Sequence, residues 1–199
     1  MERARALAGQ GDRRILGIVG APGGGKSTLA AELVAELGPD KARLVGMDGF
    51  HLAQAELERL GRADRKGAPD TFDVSGFAAL LRRLRAREEA VVYAPLFRRE
   101  IEEPVASAVP VPREVPLVVT EGNYLLVADG DWAQVRALLD EAWFVEGDED
   151  RRRDRLIARH IEFGKAPDLA REWVMRSDER NAELVATTRH RADLVVRVG

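Results

Sequence analysis

Short apolar runs alternate along this chain with longer stretches whose apolar residues recur at helical spacing. The apolar runs are rich in β-branched residues, which is typical of buried strands. They lie at 15–19, 43–47, 91–93, 116–121, 142–145 and 193–197. The helical spacing predicts helices over 28–38, 73–84, 132–139, 150–163 and 168–188. The alternation predicts an α/β fold, with a mostly parallel sheet and helices on both of its faces.

Three segments fall outside this alternation. Residues 1–13 are expected to form a short, partly helical N-terminal extension. Residues 61–71 are rich in charge and glycine, which predicts a mobile loop. Four prolines alternate with valines over 94–113, which predicts irregular strands or a hairpin projecting from the main sheet. Because neither a repeat nor a linker is evident, we predict a single domain over residues 1–199.

The first predicted strand runs directly into a glycine-rich loop that precedes the first long helix. The loop fits the pattern G-x-x-x-x-G-K-[ST] and consists of Gly20, Ala21, Pro22, Gly23, Gly24, Gly25, Lys26 and Ser27. Glycines let successive backbone N–H groups turn inward around a phosphate chain, and the helix N-terminus adds partial positive charge. Lys26 would reach the β- and γ-phosphates of ATP, the Ser27 hydroxyl would hold Mg²⁺, and Thr28 completes the nucleotide-binding set.

Two other interpretations of this loop are weaker. A glycine-rich surface turn would have to fall between a strand and a helix by accident. A dinucleotide-binding fold is set aside because no G-x-G-x-x-G follows the strand. Only four of the 31 basic residues are lysine, so chance is a weaker explanation for a lysine at this position of the loop.

Composition narrows the class of protein. The 199 residues are 45% hydrophobic and 33% charged, as in ordinary globular proteins, and the net charge of −3 gives no support for nucleic-acid binding. There are no cysteines and no cluster of His and carboxylates at ligand spacing, so no transition-metal site is expected. Neither a signal peptide nor a membrane-spanning run is evident, and we therefore expect a cytoplasmic protein without a membrane partner.

Two carboxylates stand at the ends of predicted strands, where ligands bind in open α/β sheets. Asp48 follows the second strand and could accept the proton of an attacking hydroxyl, or could be only the first residue of an Asp-Gly turn. Glu121 closes the strand at 116–121 and could orient Mg²⁺ or its waters, or could be structural. The neighbouring phosphate loop favours the functional role for both.

The stretch from 150 to 165 carries most of the remaining candidates. Arg152, Arg155 and Arg159 share one helical face by their spacing. Such a run can be a solvated face, or a lid over about 150–167 that supplies arginines to a transferring phosphoryl group. Outside this stretch, Asp73 is equally suited to cap the helix at 73–84 and to bind a substrate hydroxyl. The three tryptophans at 132, 143 and 173 are expected in the core.

Six stretches together carry a resemblance to a known family: the loop at 20–27, Asp-Gly-Phe-His at 48–51, Pro-Asp-Thr-Phe-Asp at 69–73, Tyr-Ala-Pro at 93–95, Thr-Glu-Gly-Asn-Tyr at 120–124 and the arginine-rich stretch. They resemble the uridine kinase, phosphoribulokinase and pantothenate kinase family of P-loop kinases, over the chain from about residue 15 to its end. The likeness is greatest to a bacterial branch described as nucleoside/nucleotide kinase-like, or as fructose-transport or pantothenate-type kinases. The loop alone is generic to NTPases, whereas its combination with the motifs at 48–51 and 69–73 is far more specific.

The resemblance implies a three-layer P-loop NTPase fold with an arginine-rich helical lid. It implies Mg²⁺·ATP as the phosphoryl donor and Asp48 as the base that activates an acceptor hydroxyl. It also implies substrate contacts from His51, Asp73 and Tyr93, lid contacts from Arg155, Arg159 and Lys165, and a position near the adenine for Asp193.

The chain departs from the family at Arg98. Uridine kinases carry a histidine that touches the nucleoside at the corresponding place, and the closer branch usually carries an aspartate. An arginine there could favour an acceptor that already bears a phosphate or a carboxylate.

The sequence therefore predicts a kinase that moves the γ-phosphoryl group of ATP to a hydroxyl of a small molecule, either a nucleoside, a sugar or a pantothenate-like compound. The alternative is a nucleotide-binding regulator or adaptor that keeps the loop and has lost turnover. Family likeness also suggests a homodimer formed through the proline-rich region at 102–112.

Overall fold

The computed structural model describes residues 1–198, and seven strands lie within them. In chain order they are β1 (Arg14–Gly20), β2 (Ala42–Gly46), β3 (Val91–Arg98), β4 (Glu103–Pro112), β5 (Leu117–Gly122), β6 (Glu141–Glu146) and β7 (Leu194–Arg197). Five of them form one sheet of order β2-β5-β1-β6-β7, and every pairing in it is parallel. The predicted parallel α/β sheet is therefore confirmed.

The α-helices connect these strands. They are α1 (Glu2–Ala8), α2 (Lys26–Leu37), α3 (Gln54–Arg59), α4 (Val74–Ala86), α5 (Glu149–Glu162), α6 (Pro167–Trp173) and α7 (Glu179–Ala186). A single π-helical turn, Val174–Asp178, joins α6 to α7, so the helix predicted over 168–188 is nearly continuous. No helix in the described part of the chain is both long and apolar enough to cross a membrane.

Hydrophobic cores lie on both faces of the sheet. Along β1, Ile15 and Val19 join the core beneath α4 and α7, whereas Leu16 and Ile18 join the core beneath α1 and α2. Because successive side chains of a strand point to opposite faces, a strand covered on both sides must be apolar throughout. This explains why the predicted strands appear in the sequence as continuous apolar runs.

Two segments differ from their predicted structures. The helix predicted over 132–139 is a pair of 3₁₀ turns, Gly130–Gln134 and Arg136–Leu138, which bury Trp132, Val135 and the following Leu139. The loop predicted as mobile over 61–71 contains two further 3₁₀ turns, and its Gly67 carbonyl accepts hydrogen bonds from Tyr124 Oη at 2.5 Å and Asn181 Nδ2 at 3.4 Å. These bonds hold the loop against the body of the protein.

The N-terminal extension is part of the folded unit. Helix α1 buries Ala4 and Leu7 in the core that it shares with α2. Arg13, just before β1, is also buried and donates hydrogen bonds to the carbonyls of Leu84, Pro112, Arg113 and Val115. Residues 1–13 therefore contribute to the domain.

A two-stranded antiparallel hairpin, β3 with β4, stands outside the main sheet. Its pairing register shifts between Ala94 and Leu96, where the single residue Pro95 lies opposite three residues of β4, so the bulge is in β4. In β3, Val92 and Ala94 are buried, whereas Tyr93, Leu96 and Arg98 are exposed. A bulge bends its strand and increases the local twist, and the part of the hairpin beyond it brings Phe97 and Arg99 to the site described next.

Candidate active site

The candidate site lies at the carboxyl ends of the central strands. The glycine-rich loop follows β1, Asp48 follows β2, and Glu121 is near the end of β5. Because β5 pairs with both β1 and β2 in parallel, these three ends meet at one edge of the sheet. This is the edge at which open α/β sheets bind ligands.

The loop has the backbone expected of a phosphate-binding cradle. Gly23 and Gly25 adopt positive φ values of 73° and 89°, and Gly25 is the N-cap of α2. Residues other than glycine rarely adopt such values, so this chain path depends on glycine. A Cβ on Gly23 would also lie 2.6 Å from Leu156 Cγ in α5. The loop is therefore packed directly against the helix that carries the candidate lid.

Lys26 and Glu121 form a buried pair of opposite charge beside the loop. Burial lowers the pKa of Lys26, and the carboxylates of Glu121 and Asp48 oppose that shift. Burial also raises the pKa of Glu121, Asp48 adds to the increase, and Lys26 and a hydrogen bond from Ser27 oppose it. In the structure Lys26 Nζ donates to the Ala21 carbonyl at 2.9 Å, within the loop itself.

These side chains fit Mg²⁺ bound together with a nucleotide. Mg²⁺ usually takes one or two carboxylates and completes its coordination with water and substrate phosphates. The Ser27 hydroxyl, Glu121 and Asp48 supply hard oxygen ligands of that kind at one point. Within residues 1–198 there is no group of three or more His, Cys, Asp or Glu that could hold a metal ion by protein ligands alone, so the nucleotide would have to supply part of the coordination.

Asp48 lies in a 3₁₀ turn, Met47–Phe50, that packs closely against the hairpin. A Cβ on Gly49 would lie 2.6 Å from the Pro95 carbonyl oxygen, so this turn requires glycine. The Asp48 carboxylate has one charged neighbour within ion-pair distance in the described chain, Arg99, whose Nη2 is 3.4 Å from Oδ2. The close packing of Gly49 against Pro95 therefore places the end of the hairpin next to Asp48, the candidate base.

His51 is held between two aromatic rings. Its ring centroid lies 4.1 Å from that of Phe72 and 4.7 Å from that of Phe97, and its Nδ1 is 2.9 Å from the Asp48 carbonyl oxygen. Burial lowers the pKa of His51; Asp48 opposes the shift, and the positive charges of Lys66 and Arg99 add to it. The imidazole is therefore neutral near neutral pH.

Helix α5 brings two of the predicted arginines over the cavity. Arg155 and Arg159 line it, whereas Arg152 is buried against the start of α7. Burial lowers the pKa of Arg159, and the charge of Arg99 lowers it further. Lys165 also lines the cavity, with Nζ 4.8 Å from the centroid of the Trp173 ring.

Together these elements enclose one large cavity. Its volume is about 770 Å³, which falls in the range of small-molecule sites. Among the predicted residues, those that line it are Pro22, Gly23, Gly25, Lys26, Ser27, Thr28, Asp48, His51, Glu121, Arg155, Arg159 and Lys165.

Seven predicted site residues do not line this cavity, and three of them, Gly20, Ala21 and Gly24, belong to the glycine-rich loop itself. Asp73 caps α4, with Oδ1 accepting a hydrogen bond from Gly76 N at 2.8 Å, so of its two proposed roles the structure shows the cap. Tyr93 in β3 has 55% of its surface exposed. Neither residue lines the cavity, and the substrate contacts that the resemblance implied for them stay predictions.

Arg98 does not line the cavity either. It is exposed, while Phe97 and Arg99 line the cavity. Asp193 precedes β7, and in a parallel sheet the amino end of a strand lies at the edge opposite the phosphate loop. There its carboxylate accepts hydrogen bonds from Ala142 N at 2.7 Å and Arg136 Nη2 at 3.0 Å. Asp193 does not line the cavity, and its position near the adenine stays a prediction.

Several residues that line the cavity were not among the predicted site residues, and they include Lys66, Arg99 and Trp173. Trp173 was expected in the core but is only half-buried. Lys66 could have been noticed because it is one of only four lysines. Arg99 reaches the cavity because of the path of the hairpin, which no local pattern revealed.

A parallel sheet with this loop after its first strand, a carboxylate after the neighbouring strands and an arginine-bearing helix over the cavity defines a P-loop kinase. The protein named ATP-dependent kinase-like protein notR′ from Aspergillus versicolor is 36% identical over 152 residues, which are 72% of this chain and 88% of that protein. A Schizosaccharomyces pombe protein provisionally named a uridine kinase is 30% identical over 205 residues, covering 98% and 87% of the two chains.

The comparison of structures agrees. The crystal structure of a provisionally named fructose transport system kinase from Silicibacter sp. TM1040 has a TM-score of 0.87 and 35% identity, covering 98% of this chain and 96% of that one. No protein-family model matches the chain. The chain belongs to the uridine kinase, phosphoribulokinase and pantothenate kinase family of P-loop kinases.

Proposed function

We propose that this protein transfers the γ-phosphoryl group of ATP to a hydroxyl group of a small molecule, with Mg²⁺ as cofactor. The observation that carries the proposal is that Asp48 faces the same cavity as Lys26 and the glycine-rich loop. A nucleotide cradle alone would serve many NTPases. Transfer to an acceptor hydroxyl also requires a base, and the carboxylate beside the cradle at the end of β2 can act as one.

In this proposal, Asp48 accepts the proton of the acceptor hydroxyl as its oxygen attacks the γ-phosphorus. Lys26 and the loop amides hold the phosphates in line. Arg155 and Arg159 neutralise the charge of the transferring group and keep water away as α5 covers the cavity. When bound by Ser27 and Glu121, Mg²⁺ would screen the charge of the β- and γ-phosphates.

The acceptor lies, in this proposal, on the hairpin side of Asp48. His51 is part of that wall, and its neutral, aromatic-flanked ring offers a hydrogen-bonding edge beside an apolar surface. The names of the relatives and the sequence motifs suggest three classes of acceptor, namely nucleosides, sugars and pantothenate-like compounds. Lys165 over Trp173 lies on the lid side of the cavity.

The test is ADP release from Mg²⁺·ATP in the presence of nucleosides, hexoses, pantothenate and the phosphates of these compounds. We expect one acceptor class to raise the rate. Asp48→Asn should lower that increment by about 100-fold or more, because the base is lost while the shape remains. Lys26→Ala should remove it by weakening phosphate binding and charge neutralisation. The control is Asp12→Asn, an exposed aspartate in the loop before β1, which should behave as the wild type.

Binding of Mg²⁺·ATP, measured by titration calorimetry, separates the alternatives. An Asp48→Asn protein that binds ATP but does not turn over supports the kinase proposal. If ATP binds, no acceptor raises turnover and Asp48→Asn changes nothing, the catalytically silent regulator is the correct interpretation instead.

A further inference from the structure

Besides the cations of the phosphate loop and of α5, the cavity is lined by two cations from other segments of the chain. The loop side has its own cations in Lys26, Arg155 and Arg159. On the hairpin side, Lys66 comes from the segment before α4 and Arg99 from the tip of the hairpin. These two residues are 33 positions apart in the sequence and meet only in the folded chain.

Lys66 has no carboxylate partner in the described chain. Its Nζ donates to the Glu102 carbonyl at 2.5 Å and to Gln54 Oε1 at 3.4 Å, and both oxygens are neutral. Charge-assisted hydrogen bonds to an anion are roughly twice as strong as neutral ones. A half-buried ammonium with only neutral acceptors therefore has a strong preference for a negatively charged ligand.

Arg99 is only loosely paired. Its contact with Asp48 is 3.4 Å long, involves one nitrogen, and leaves 37% of its side chain exposed. A strong arginine–carboxylate ion pair has a shorter N–O distance and is often bidentate. Arg99 can thus bind a second anion without leaving its place.

Phe97 brings the two cations together. Lys66 Nζ lies 5.8 Å from the centroid of the Phe97 ring, and Arg99 Cζ lies 5.7 Å from it. His51 packs on the same ring at 4.7 Å, and both cations are close enough to lower its pKa. A pocket with two cations, one aromatic wall and a neutral imidazole therefore adjoins Asp48.

We propose that the acceptor carries an anionic group, a carboxylate or a phosphate, which Lys66 and Arg99 bind beside Phe97 while its hydroxyl faces Asp48. This inference rests on the kinase function proposed above. The sequence suggested that Arg98 would favour an anionic acceptor. In this proposal Lys66 and Arg99 have that role, and the exposed Arg98 has none. Neutral nucleosides and free sugars would then be poor acceptors.

The test compares acceptors that differ only in the anion: glycerol with glycerate and glycerol 3-phosphate, and pantothenol with pantothenate. We expect kcat/KM for the better anionic member to exceed that of its neutral partner by about 10-fold or more. Lys66→Gln should lower kcat/KM for the anionic acceptor by about 10-fold, mainly through KM, and leave the neutral one unchanged. Lys66→Arg should restore most of the loss because it keeps the charge. Lys41→Gln, an exposed lysine before β2, is the matched control.

A merely structural role for Lys66, as a tie between the hairpin tip and the segment before α4, predicts a different result. In that case Lys66→Gln would lower kcat/KM equally for neutral and anionic acceptors. That outcome would overturn the proposal, as would equal use of both members of each pair by the wild type. Glycerate and glycerol 3-phosphate, tested separately, distinguish a carboxylate from a phosphate.

Failure of the kinase proposal can be distinguished from failure of the anion site. If the protein is not a kinase, no acceptor gives turnover that depends on Asp48. The anion site is in that case judged by calorimetric binding of glycerol 3-phosphate, glycerate and glycerol in the presence of Mg²⁺·ADP. Binding of an anionic member that is weakened about 10-fold in Lys66→Gln supports the site. Absence of binding, or equal binding of all three, overturns it.

Discussion

Arg152 is a buried charge that joins the lid helix to the rest of the protein. Only 4% of its side chain is exposed, and it forms ion pairs with Glu149 in α5 and Glu179 in α7. Its Nη1 also donates to the Pro22 carbonyl in the phosphate loop at 3.2 Å. One side chain therefore links the loop, the first turns of α5 and α7.

We expect Arg152→Met to lower the free energy of unfolding by about 3 kcal/mol, since breaking a buried pair leaves an uncompensated charge on Glu179. Arg153 also pairs with Glu179 and will limit the loss. Urea unfolding followed by circular dichroism measures the change. The neighbouring variant Arg151→Met is the control, because Arg151 is exposed and should change stability by less than about 0.5 kcal/mol. Equal stability of the two variants would show that the ion pairs contribute nothing.

Helix α1 shows how an element outside the main pattern can belong to the core. It places Ala4 and Leu7 against α2 and the sheet. Two ion pairs hold its outer side, Arg3 with Glu141 at 2.6 Å and Arg5 with Glu36 at 2.5 Å. Because both pairs are largely exposed, most of the attachment comes from the apolar contacts.

Leu7→Ala should therefore destabilise the protein by about 2 kcal/mol, from lost burial and the cavity that remains. Leu169→Ala in α6 is the matched control, since Leu169 is 59% exposed and should have little effect. Thermal unfolding of both variants beside the wild type gives the comparison. If residues 1–13 were only an extension, the two variants would unfold at the same temperature.

Across the whole molecule, several carboxylates join segments that are distant in sequence. Hydrogen bonds from Arg189, with help from Arg197, lower the pKa of Glu146 at the end of β6. Within a single loop, Arg65 likewise lowers the pKa of Asp70. Burial alone would raise the pKa of Glu179, but hydrogen bonds from its arginine partners lower it overall.

These shifts predict loss of stability in acid. A carboxyl whose pKa is lower in the folded state contributes stability above its unfolded pKa of about 4, and loses it as pH falls through the folded pKa. We expect the urea midpoint to hold from about pH 7 to pH 5 and to fall steadily below about pH 4. Glu121, whose pKa is raised by burial, acts in the opposite direction and reduces the slope.

The matched variant is Glu146→Gln, which removes one of these carboxyls and should flatten the acid limb of the curve. A midpoint that does not change between about pH 5 and pH 3.5 would contradict the prediction. The homodimer suggested through 102–112 is a separate question of association, and it stays a prediction.

Local sequence patterns predicted much of the fold and part of the candidate site. A strand buried on both sides must be apolar throughout, and a phosphate cradle needs glycines at fixed spacing before a helix. Asp48 and Glu121 could be identified because each follows a strand, and in a parallel sheet the carboxyl ends share one edge. The same rule places Asp193, which precedes a strand, at the other edge of the sheet.

The tertiary structure alone decided the acceptor end of the cavity. Arg99, at the tip of the hairpin, lines the cavity, whereas Arg98 is exposed, and the path of the hairpin depends on its packing against the turn at Gly49. Lys66 and Arg99 meet across Phe97 only because a loop and a hairpin fold over one another. The sequence by itself determined the phosphate chemistry, since that chemistry resides in a contiguous loop with its own backbone geometry. Which side chains meet the acceptor depends on long-range packing, which no local pattern encodes.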